Sequence, residues 1–278
     1  MTIRETALSF ACAGERLFGI LAEPEGQANN TGVLVIVGGP QYRIGSHRQF
    51  ALLARALARA GYPAMRFDYR GMGDSSGESP GYDAVDPDVA AAIDAMQSAS
   101  PAVQKVVLWG LCDGGSAALL YALRQQDPRI TGLVLANPWV HTEQAEAHAI
   151  VHSYYRQRLL DAGFWHKLIK GGINPVQKLR ELGRHWRDAR DGEREGDKGD
   201  IMRNALDQAR LPLLLLLCER DATAQRFLAY LELNRCPLLK QSHVQRVDFA
   251  GADHTFSRAE WRGELENVTI EWLSKHCI

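Results

Sequence analysis

From Val106 to Gln126 the chain is tightly constrained. Val106-Val107-Leu108-Trp109 is an unbroken apolar run, Gly110-Leu111-Cys112-Asp113-Gly114 follows without a spacer, and the Ala/Leu-rich stretch Gly114–Gln126 begins at once. An apolar strand that becomes a helix within five residues must turn sharply, so the residue at the centre of the turn is strained. Side chains two positions either side have no room, which accounts for Gly110 and Gly114. That leaves Cys112 at the tip of the turn, over the first free N–H groups of a helix, where the helix dipole favours thiolate over thiol.

Similar punctuation recurs along the chain. Short apolar or alternating runs at Ala7–Cys12, Leu17–Ala22, Val33–Val37, Ala64–Phe67, Val106–Trp109, Gly132–Leu135, Pro212–Leu217 and Val244–Phe249 predict eight strands. Helical spacing predicts helices over Arg48–Ala60, Val85–Gln97, Gly114–Gln126, Ala224–Leu233 and Trp261–His276. A hairpin-like start followed by βα units implies an α/β fold with an open, mostly parallel eight-stranded sheet and helices on both faces. Ligands of such a sheet bind at the C-terminal ends of its strands.

The alternation breaks between residues 141 and 209, where few strands are predicted and Tyr154, Tyr155, Phe164, Trp165 and Trp186 cluster. This segment is expected to be an inserted helical cap on a core made of residues 1–140 and 210–278. Within it, residues 184–200 mix both charge signs with three glycines and too little apolar surface to order themselves, so a mobile loop is expected there.

Lys and Arg number 32 against 33 for Asp and Glu, a formal net charge of -1, so no basic footprint points to nucleic acid or an anionic membrane. The apolar run ending at Cys218 is far shorter than the roughly 20 residues of a membrane-spanning helix. The polar start, Met1-Thr2-Ile3-Arg4-Glu5-Thr6, argues against a secretory signal, and a cytoplasmic location is expected. Five cysteines without C-x-x-C spacing argue against a disulfide framework or zinc knuckle.

A thiol nucleophile needs a base and an acid to orient it, and in this kind of fold they follow in the order nucleophile, acid, base. Asp221 lies just past the strand Pro212–Leu217, with Glu219 two residues earlier as an alternative; His254 lies past Val244–Phe249 through a glycine turn. The expected catalytic set is therefore Cys112, Asp221 and His254. A developing oxyanion needs backbone donors from the residue after the nucleophile and from the first strand-helix loop, which selects the N–H of Asp113 and that of Gly39, with Gln41 second. Pro40 between them has no N–H.

With Asp68-Tyr69-Arg70-Gly71-Met72-Gly73-Asp74-Ser75-Ser76-Gly77 added, nearly the whole chain resembles the α/β-hydrolases. More narrowly, Gly38-Gly39-Pro40-Gln41-Tyr42-Arg43, Gly110-Leu111-Cys112-Asp113-Gly114 and Asp221-Ala222-Thr223-Ala224 resemble the exosortase A system-associated hydrolases of the first type. That resemblance implies the fold, a cap, a triad on Cys112, Asp221 and His254, and a setting beside a bacterial protein-sorting and exopolysaccharide system. The cysteine nucleophile also resembles that of dienelactone hydrolases.

The expected activity is cleavage of a small-molecule carboxylic ester or thioester through an acyl-thioenzyme, with no metal or organic cofactor and with a homodimer left open. Two alternatives remain: an acyltransferase passing the acyl group to a sugar or lipid, and a non-catalytic scaffold. Gly71-Met72-Gly73 does not lead directly into a helix as a dinucleotide loop would, and His148 and His152 lack the intervening acid of a metalloprotease.

Overall fold

A computed structural model describes residues 2–140 and 198–276. Its sheet has eight strands: β1 (Ile3–Cys12), β2 (Glu15–Pro24), β3 (Thr31–Ile36), β4 (Ala64–Asp68), β5 (Lys105–Leu111), β6 (Ile130–Ala136), β7 (Leu213–Cys218) and β8 (Val244–Phe249). The helices among the described residues are α1 (Gln49–Arg59), α2 (Asp86–Ala99), α3 (Asp113–Gln125), α4 (Lys198–Gln208), α5 (Ala222–Leu233) and α6 (Ala259–His276).

Every strand expected from the sequence is present. β1 starts four residues earlier than its apolar pattern suggests, at Ile3 rather than Ala7. It is the sheet edge, and Arg4-Glu5-Thr6 are exposed there, so main-chain pairing with Leu21–Glu23 of β2 extends it where no apolar alternation marks it. Ala13 and Gly14, with φ of 50 and 84°, close this hairpin in two residues.

Strand order is β1-β2-β4-β3-β5-β6-β7-β8. β2 runs antiparallel to both neighbours, and β3 to β8 are parallel. Both faces of the central strands are covered, so their side chains alternate between two apolar layers. Leu34, Ile36, Val106, Leu108, Leu213 and Leu215 meet α2, α3, α4 and α5 on one face. Val33, Val35, Val107, Trp109, Leu214 and Leu216 meet α1 and α6 on the other, with Phe50 set edge-on to Trp109.

The chain passes from β3 through α1 to β4 on one side and then crosses back to β5 on the other. The order therefore reverses between β3 and β5, and a crevice opens past their C-terminal ends at this switch point. The cap expected over residues 141–209, its aromatics, His148 and His152 fall outside the described residues apart from 198–209. There α4 lies against α3, burying Met202, Ala205 and Leu206.

Candidate active site

Three loops at the C-terminal ends of β5, β7 and β8 bring the sequence-selected side chains together. Cys112 caps the N-terminus of α3 at φ 60°, ψ −128°, a conformation that L residues rarely adopt. The turn holds it there: its N–H donates to the Ala136 carbonyl at 2.9 Å, and its own carbonyl accepts from Gly115 at 3.0 Å and Trp139 at 3.2 Å. A Cβ on Gly110 would strike the Gly114 carbonyl, and one on Gly114 would strike that of Ile36, so helix and strand can approach this closely only with glycine at both positions.

Asp221 follows β7 as the N-cap of α5. Its carboxylate accepts from Thr223 N–H at 3.1 Å and Ala224 N–H at 3.2 Å, and it is 5% exposed. The same carboxylate reaches His254, with Nδ1 to Oδ2 at 2.9 Å. Glu219 instead accepts from the Gly251 N–H at 2.8 Å, which shapes the loop carrying His254 but leaves the imidazole to Asp221. The Cys112 sulfur also acts on the His254 ring, and these two partners, Asp221 first, push its pKa up to about 10 against the opposing effect of burial. The raised pKa favours the protonated ring, held between the Asp221 carboxylate and the Cys112 sulfur.

Gly38–Gly39 lies alongside, after β3. Gly39, with φ of 67°, directs its N–H to the Asp113 carboxylate beside the elbow. The N–H of Gln41 donates instead to the Gly39 carbonyl at 2.9 Å, and its side-chain amide donates to Gly38 O, so both are already committed within the loop. Of the two loop donors selected from the sequence, Gly39 is the one facing the elbow.

A further residue that sequence reasoning did not select is Asn137, fully buried after β6 with φ of 42°. Its Oδ1 accepts from Cys218 N–H at 2.8 Å, and its Nδ2 donates to the His254 carbonyl at 3.1 Å. It thus ties the end of β7, just before Asp221, to the loop bearing His254. The signal was an asparagine placed directly after the apolar strand Leu133–Ala136.

Residues 28–171, just over half the chain, match the family model described as serine aminopeptidase, S33. The chain belongs to that family of α/β-hydrolases. The match takes in the elbow, where this hydrolase has Cys112 and the family description names serine. In fold the hydrolase is similar to an esterase from Pyrococcus furiosus, with a TM-score of 0.66 and 16% identity over 99% of this chain and 92% of that one. It is also similar to a carboxyl esterase from Bacillus coagulans (0.65, 15%, all of both chains) and to a dienelactone hydrolase from Anabaena variabilis (0.62, 16%, 99% of both). No curated protein matches the hydrolase by sequence. Among the described residues, no cluster of three or more His, Cys, Asp and Glu could hold a metal ion, and no helix is long and apolar enough to cross a membrane.

Proposed function

We propose that this hydrolase cleaves a carboxylic ester or thioester through an acyl-thioenzyme on Cys112. The observation that carries the proposal is the contact from the Asp221 carboxylate to His254 Nδ1, at 2.9 Å, in a ring whose pKa the Cys112 sulfur also raises. Asp221 fixes the orientation of the ring, which holds the proton given up by Cys112 and leaves the sulfur as a thiolate. The thiolate attacks the acyl carbon, and the carbonyl π electrons move onto oxygen, opposite the N–H groups of Asp113 and Gly39. As the tetrahedral carbon collapses, the alkoxide or thiolate departs with the proton from His254.

Thioester formation changes the base. Once sulfur is acylated, the interaction with the free Cys112 sulfur that helps hold His254 protonated is lost, and the ring has given up its proton to the leaving group. Neutral His254 can then take a proton from water, whose oxygen attacks the thioester and releases the acid. Cys112 is expelled as thiolate while the ring keeps that proton, which restores the starting pair. Ester and water become acid and alcohol with no other reactant.

The esterases that share the fold support an ester in preference to a peptide bond. The resemblance to exosortase A system-associated hydrolases adds acylated sugars and lipids to the substrates worth testing. Intact-mass spectrometry after brief incubation with short acyl p-nitrophenyl esters and acyl thioesters tests the proposal, comparing wild type with Cys112→Ala and Cys112→Ser. A single acyl adduct confined to wild-type Cys112 is expected, and undiminished hydrolysis by Cys112→Ala overturns the mechanism.

A further inference from the structure

The N–H groups assigned to the oxyanion already face an anion belonging to the chain itself. The Asp113 carboxylate folds back over the elbow, where Oδ1 accepts from Gly114 N–H at 3.1 Å. It presses so closely on the loop after β3 that a Cβ on Gly38 would collide with it. Hydrogen bonding from the backbone N–H groups of Gly39 and of Asp113 itself also favours its ionised form. A carboxylate at the first turn of α3 gains from the helix dipole as well, so the arrangement is a satisfied anion site with its occupant supplied from within.

The groups facing Asp113 come from three sides. His254 approaches from the loop after β8, and its positive charge favours the ionised carboxyl. Tyr69, buried at the end of β4, stays neutral because burial and the nearby negative charge of Asp113 raise its pKa. Cys112 is the preceding residue of the elbow. Burial acts on Asp113 in the opposite sense to His254 and is the larger effect, so the carboxyl is easier to protonate than an exposed aspartate.

We propose that Asp113 is a built-in occupant of the oxyanion hole: its carboxylate holds the Asp113 and Gly39 N–H groups in the free enzyme, and acyl transfer proceeds when a substrate carbonyl displaces it or a proton neutralises it. The proposal rests on Cys112 being the nucleophile. It also sets a substrate preference. An uncharged acyl group can enter beside the carboxylate, whereas one carrying a carboxylate next to the scissile carbonyl meets like charge in a partly desolvated site.

Two reactions of the same sulfur separate this proposal from the one on which it rests. Alkylation by iodoacetamide occurs at a saturated carbon and forms no oxyanion, whereas acylation by p-nitrophenyl acetate does. Wild-type alkylation is measured first; if it shows no preference for Cys112 over the other four cysteines, the nucleophile assignment falls and this proposal with it. Given that preference, Asp113→Ala and Asp113→Asn are expected to acylate about tenfold faster than wild type at pH 8, with a flatter pH dependence, because freed donors act directly on the transition state. Their alkylation rates are expected to stay within about threefold of wild type. Acylation unchanged or slowed in the folded variants, with alkylation retained, overturns the proposal. Asp113→Asn preserves shape and carries the test if the alanine variant does not fold.

Discussion

Asp221 performs two tasks with one carboxylate, and replacing it by asparagine separates them. Toward α5 it is an N-cap accepting from Thr223 and Ala224; toward the site it holds His254 Nδ1 at 2.9 Å. Asparagine caps a helix about as well as aspartate, whereas alanine at such a position costs about 1 kcal/mol. Asp221→Asn is therefore expected to retain stability to within about 1 kcal/mol, and Asp221→Ala to lose at least that much. Activity should respond differently. An amide can present N–H to the ring and favour the wrong tautomer, and it removes the carboxylate whose hydrogen bond contributes most to the raised His254 pKa. A loss of about 10³ to 10⁴ in kcat is expected for both variants, the scale seen when a serine-protease triad acid is made neutral. The assays are chemical denaturation for stability and steady-state hydrolysis of a p-nitrophenyl ester for rate. A folded Asp221→Asn enzyme with kcat within about threefold of wild type refutes the reasoning, as does a comparable loss in Glu219→Gln with Asp221→Asn active.

Because the folded-state pKa of His254 is raised, its contribution to stability is fully present below about pH 6.5, the unfolded value, and is lost as pH rises toward about 10. Thermal unfolding from pH 6 to 10 should show wild type losing more Tm than His254→Gln; parallel curves would contradict this. Gly114→Ala places a methyl group against the Ile36 carbonyl and should destabilise by about 3 kcal/mol or more, read as a lower denaturation midpoint or insoluble expression. Asn137→Ala leaves the His254 carbonyl and the Cys218 N–H without their partner, costing about 1 to 3 kcal/mol, and should lower kcat more than it changes KM.

The legible elements were those whose burial leaves a pattern. β7 is a run of five leucines and a cysteine buried on both faces, and β8 has the bounds its sequence suggested. The first half of β1 was not legible, because Arg4, Glu5 and Thr6 are held by backbone pairing to β2, to which side-chain polarity is indifferent. The same distinction runs through the site. Cys112, Asp221 and His254 could be chosen because each follows a strand whose end is marked, and the fold converts those three positions into neighbours.

What sequence spacing does not carry is the direction of a side chain once its residue is placed. Glu219 and Asp221 are two positions apart on one loop and equally acidic; only the cap geometry of α5 turns Asp221 toward His254 while Glu219 closes on Gly251. Asp113 was selected for its N–H, yet its carboxylate folds back onto that donor, because the elbow that exposes Cys112 also presses the next side chain against Gly38. The backbone strain at Cys112 and the crowding at Asp113 thus have one cause, the close approach of β3, β5 and α3 at the point where the strand order reverses. On the proposed mechanism, a nucleophile at this crevice also places the residue after it where an oxyanion would form, so the aspartate there bears on the chemistry as directly as the cysteine before it.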